Sequence, residues 1–72
     1  SMNKKDFEEY LNGMFSVSDT LRKTEHCWAG NDKTSQQKYS ARKLALEAKY
    51  GTILRRFDPI AFEVIYNDKN RC

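Results

Sequence analysis

Thr52-Ile53-Leu54-Arg55-Arg56-Phe57-Asp58-Pro59-Ile60-Ala61-Phe62-Glu63-Val64-Ile65-Tyr66 can be read in two ways, and the fold depends on which applies. Ala61 to Tyr66 is rich in β-branched and aromatic residues, which favour a strand. Its only obvious mate is the segment from Thr52 to Phe57, with Asp58-Pro59 as the turn between them. Proline fixes φ at about −65°, whereas a two-residue type I′ turn needs positive φ at both central positions. A tight hairpin is therefore disfavoured, and only a longer loop would rescue it. As a helix start, by contrast, Asp58-Pro59 is well suited. Aspartate caps, and proline occupies the first turn without losing a needed hydrogen bond. Ile60, Ala61, Val64 and Ile65 then share one face. Helix is the favoured reading, so a mainly α domain of three to four helices is expected. The alternative is three helices plus a C-terminal β-hairpin, an α+β fold.

Upstream, Thr34-Ser35-Gln36-Gln37 matches the capping box S/T-x-x-E/Q and opens a helix over about 35–50. Ala41, Leu44, Ala45 and Ala48 recur at i, i+3, i+4 and i+7, a tight face whose alanines admit a neighbouring helix. Gly51 stands where a C′ glycine ends a helix. A helix over about 4–15 has Asn3 as cap, Asp6 in its first turn and Phe7, Tyr10, Leu11 and Met14 on one face. Another is expected over about 17–29. It follows an imperfect capping box, Ser16-Val17-Ser18-Asp19, carries Val17, Leu21 and Trp28 on one side with Thr24 between them, and stops at Gly30-Asn31.

The 72 residues allow one domain, taken as residues 2–72 with Ser1 as a tag remnant. Only 14 residues are Leu, Ile, Val or Phe, so the aromatic side chains must supply much of the core. So thin a core predicts help from self-association, as a homodimer, or from a bound partner. No apolar run is long enough for a membrane span, and no charged-then-apolar leader is present. A cytoplasmic location is therefore expected, with Cys27 and Cys72 as reduced thiols; a Cys27–Cys72 bridge is the other option.

Charge is distributed unevenly. Residues 33–56 hold Lys33, Lys38, Arg42, Lys43, Lys49, Arg55 and Arg56 against the single acid Glu47, a local excess of +6 within a net charge of +3. Residues 1–32 sum to −2 and residues 57–72 to −1. On an unbroken helix Lys38 and Arg42 are i, i+4 neighbours, and Lys49 lies on roughly the same side. Arg55 and Arg56 follow just beyond. Such a surface is either an ordinary solvated helix face or a place where an anionic partner docks. The candidate binding residues are Lys38, Arg42, Lys43, Lys49, Arg55 and Arg56, with Tyr39 and Tyr50 as flanking anchors.

Catalytic and metal-binding patterns are lacking. His26 is the single histidine, and on a helix the adjacent Cys27 would not face it. One histidine and two distant cysteines do not make a metal site. The three glycines are too scattered to cradle a phosphate. Residues 40–57 have the outline of a helix-turn-helix, but the second element is too short to read a groove. The expected function is therefore non-enzymatic, with no cofactor. An inhibitor or adaptor is expected, docking the basic face of residues 33–56 on an acidic surface of a larger protein. Nucleic-acid binding through the same face is the alternative, and sequestration of a small anionic ligand such as a nucleotide is the third reading.

Overall fold

The computed structural model describes residues 1–71, and both halves of the ambiguous stretch are helical. The helices are α1 (Lys4–Asn12), α2 (Val17–Lys23), α3 (Glu25–Trp28), α4 (Ser35–Leu46), α5 (Tyr50–Phe57) and α6 (Pro59–Asn70). No strand occurs among the described residues, so the hairpin alternative is set aside and the fold is all-helical. At the junction of α5 and α6 the Asp58 carboxylate accepts the Ala61 amide at 3.2 Å, with Pro59 in the first turn. That is the capped start expected of Asp58-Pro59. No helix of the described residues is long and apolar enough to cross a membrane.

Among the described residues six helices replace the expected three to four, because two continuous segments are broken and residues 50–57 form a helix of their own. The segment over 17–29 divides at Thr24, whose φ of −114° and ψ of 12° leave the helical range. Thr20 and Thr24 are fully buried, and each hydroxyl donates to the carbonyl four residues back, at 2.7 and 2.6 Å. Such back-bonding competes with the helical ladder and bends it. The inward face is thus Thr20, Thr24 and Cys27, while Val17 stays exposed.

The other break shortens α4 by four residues. Lys49 donates to the Leu44 carbonyl at 3.0 Å and Ala48 to that of Ala45 at 2.9 Å, the Schellman pattern. The left-handed residue at C′ is Ala48, with φ 59°, and not Gly51 as expected. Ala48→Gly should raise stability by about 0.5–1 kcal/mol. Relief of roughly 1–2 kcal/mol at the left-handed alanine outweighs about 0.4–1 kcal/mol from a freer unfolded chain. Urea unfolding checks this, and a midpoint that stays put or falls would refute it.

Two apolar clusters form the core, and α5 contributes to both. Leu54 joins Phe7, Leu11 and Phe62, between α1, α5 and α6. The preceding residue, Ile53, joins Cys27, Ala41 and Ala45, between α3, α4 and α5. Helix α6 is rotated from its expected setting. Phe62 is buried, whereas Ile60 and Val64 are exposed. Aromatic contacts set this rotation: the Phe62 ring lies 5.6 Å from Phe7 edge-to-face, and Tyr66 lies 5.5 Å from Phe7. At the ends of the chain the Asn70 amide pairs with the Met2 backbone in both directions, each at 3.0 Å. Lys4 and Glu63 form an ion pair beside it.

A polar network ties α1 to α5. The Thr52 hydroxyl donates to Glu8 at 2.6 Å, Asn12 bonds both the hydroxyl and the amide of Thr52 at 2.9 Å, and Arg55 donates to Glu8 at 2.9 Å. The Thr52 hydroxyl, and after it Arg55, hold the Glu8 carboxyl below the usual glutamate range against an opposing effect of burial. A carboxylate whose pKa falls on folding adds stability above the ordinary range and loses it as pH drops through the folded value. The gap in urea midpoint between wild type and Glu8→Gln should therefore be widest near neutrality and close in acid. A gap that is constant with pH would contradict this.

Candidate docking surface

Helix α4 packs Ala41 and Ala45 into the core and presents Lys38, Tyr39, Arg42, Lys43 and Leu46 on its outer side. The 3.6-residue period does the sorting. Lys38 and Arg42 are i, i+4 neighbours, as are Tyr39 and Lys43. Across from them α3 supplies Trp28, and together these six residues enclose a cleft of about 300 Å³. The Arg42 guanidinium lies 5.6 Å from the centre of the Trp28 ring, within cation–π range. The indole Nε1 donates to the Thr24 hydroxyl at 3.3 Å. Tyr39 is 68% exposed and Leu46 is 53% exposed. On the far side of Tyr39 and Lys43 a second hollow runs to the end of α5, where Arg56 forms part of its wall.

The eight candidate residues fall into two groups. Lys38, Tyr39, Arg42 and Lys43 meet at the cleft, and Arg56 lies on the neighbouring hollow. These four cations take part in no salt bridge among the described residues. The other three are held elsewhere. Lys49 follows the end of α4, so the expected alignment with Arg42 is lost, and it pairs with Glu47 at 3.6 Å. Arg55 is bound to Glu8 and stands 5.6 Å over the Phe62 ring. Tyr50 is half-buried edge-to-face on Phe15 at 5.0 Å, and burial raises its hydroxyl pKa. Sequence reasoning passed over Trp28 and Leu46 as site residues. The signal for Leu46 was present, since it lies seven residues from Tyr39 and off the alanine face.

Cys27 and His26 do meet, contrary to the expectation from helical spacing. Sγ is 3.5 Å from Nε2 of His26, which also lies 2.8 Å from Asp58 Oδ2. In a helix of one turn, both side chains reach the α5–α6 junction. Thiol and carboxylate approach the same imidazole nitrogen, so they do not form the relay in which a histidine bridges nucleophile and acid through different nitrogens. Cys27 is fully buried, and burial, with the nearby Asp58 charge, pushes its pKa up to about 11. A thiol held protonated at neutral pH is a poor nucleophile. Both the expected reduced thiols and the alternative Cys27–Cys72 bridge involve Cys72, which lies outside the described residues. No cluster of three His, Cys, Asp or Glu with metal-binding geometry occurs among the described residues.

Compared with known families, curated proteins and solved structures, the chain matches none.

Proposed function

We propose that this chain is a non-enzymatic binding protein, an inhibitor or adaptor that docks the outer face of α4 on an acidic surface of a larger protein. The supporting observation is the meeting of Lys38, Arg42 and Lys43, with Arg56 on the neighbouring hollow and none of the four ion-paired within the described residues, with the exposed Tyr39 and Leu46 and the half-buried Trp28. Aromatic and arginine side chains around an apolar centre are the residues that dominate protein interfaces. A cationic rim steers an acidic partner and selects against basic ones.

Affinity capture from native lysate, with and without nuclease and at two salt concentrations, tests the proposal. A stoichiometric protein should survive nuclease. Arg42→Glu with Lys43→Glu should reduce its recovery at least ten-fold while the far-UV helical signal stays intact. Recovery that is indifferent to the double reversal would reduce this face to solvated surface. Nucleic acid is the second reading, favoured by the exposure of Tyr39 among cations, where a base could stack. Recovery abolished by nuclease would put it first.

A further inference from the structure

We infer, resting on the docking reading above, that the α3–α4 cleft takes one apolar side chain from an acidic peptide segment: a hydrophobic anchor flanked by carboxylates. The cleft has a volume of about 300 Å³, within the range of roughly 300–1,000 Å³ seen for ligand pockets and ample for one large apolar side chain, so the choice of occupant rests on the chemistry of its lining.

The walls specify an apolar occupant. The Trp28 indole has its N–H satisfied by Thr24, so it asks no hydrogen bond of a guest. Leu46 offers only hydrocarbon. A polar side chain placed between them would lose its water without a partner, which is costly. The charged lining specifies the flanks. Lys38, Arg42 and Lys43 line the same cleft and have no salt-bridge partner among the described residues. Carboxylates on either side of the anchor would meet these cations, and Arg42 can grip one in bidentate fashion. Arg42 also stands 5.6 Å over the Trp28 ring, so the indole and a cation share the lining.

Trp28 is the only tryptophan and reports directly on the cleft. The probes are a short peptide of Glu and Asp with one central Phe, the same peptide with Ser in place of Phe, and a single-stranded oligothymidylate. None contains tryptophan. The Phe peptide should shift Trp28 emission to the blue and bind about ten-fold or more tighter than the Ser peptide, the factor expected for burying one large apolar side chain. Leu46→Ser, a change at an exposed position that leaves the charge untouched, should largely erase that preference.

Equal affinity for the two peptides would overturn the anchor and leave the docking reading standing. If neither peptide binds, the anchor again falls. The docking reading falls with it only if capture from lysate is also indifferent to Arg42→Glu with Lys43→Glu. Tighter binding of the oligonucleotide, or an emission shift that follows protein concentration alone, would give the cleft to nucleic acid or to a second copy of the chain, and would overturn the proposal.

Discussion

Gly51→Ala should destabilise the protein by about 3 kcal/mol or more, although helix propensity alone favours alanine by about 1 kcal/mol. Gly51 lies inside α5 with ordinary helical backbone, so the cost comes from where α5 meets α1. A Cβ at this position would stand 2.2 Å from the Glu8 carbonyl oxygen, 2.9 Å from Leu11 Cβ and 3.0 Å from the Glu8 carbonyl carbon. Two of these atoms are backbone and the third is fixed to it, so no rotamer change relieves the clash. Helix α1 would have to withdraw from α5. That loosens Phe7 and Leu11 from Leu54, and Glu8 and Asn12 from Thr52. Gly13→Ala is the control. A Cβ there meets nothing within 4 Å, and the change should stay within about 0.5 kcal/mol of wild type. Urea unfolding of both variants decides the matter. If Gly51→Ala matches Gly13→Ala, the close crossing of α1 and α5 is wrong.

Phe62→Ala should cost about 3–5 kcal/mol. Phe62 is 1% exposed, lies edge-to-face with Phe7 at 5.6 Å and stacks on Tyr66 at 6.3 Å. Arg55 covers it at 5.6 Å. Its removal opens a cavity among aromatic rings that are also held by backbone elsewhere, so collapse to fill the space is limited. A domain of this length has a total stability of roughly 4–11 kcal/mol, so the variant should sit near the edge of folding. A loss of each kcal/mol lowers Tm by about 4–8 °C at this size, which places the expected drop above about 12 °C. A fall of only a few degrees in the far-UV melt would show that Phe62 does not anchor the core. Ile60→Ala, at an exposed position of the same helix, should change little.

Local chemistry was legible from residues alone. Asn3, Ser16, Thr34 and Asp58 each cap a helix through the side-chain bond that their position implies, with amide distances of 2.8, 3.1, 3.1 and 3.2 Å. Ala41 and Ala45 form the tight face that their spacing implies. Tertiary contacts decided the rest. The i, i+3, i+4 pattern in α6 fits more than one rotation, and the rings of Phe7 and Tyr66 choose among them. Ala48 is left-handed where the chain turns from α4 into α5, an unfavourable conformation that no local signal announces. The basic segment was visible as composition, but its division was not. Glu8 is 47 residues from Arg55 in sequence, and pairing across that distance withdraws the arginine from the cluster. Trp28 reaches the cleft only through the packing of α3 on α4, which periodicity within either helix does not show.

The mutual pairing of Met2 and Asn70 couples the start of α1 to the last turn of α6. Fraying of either helix terminus must break the same two hydrogen bonds, so the amide protons of the two segments should exchange together rather than separately.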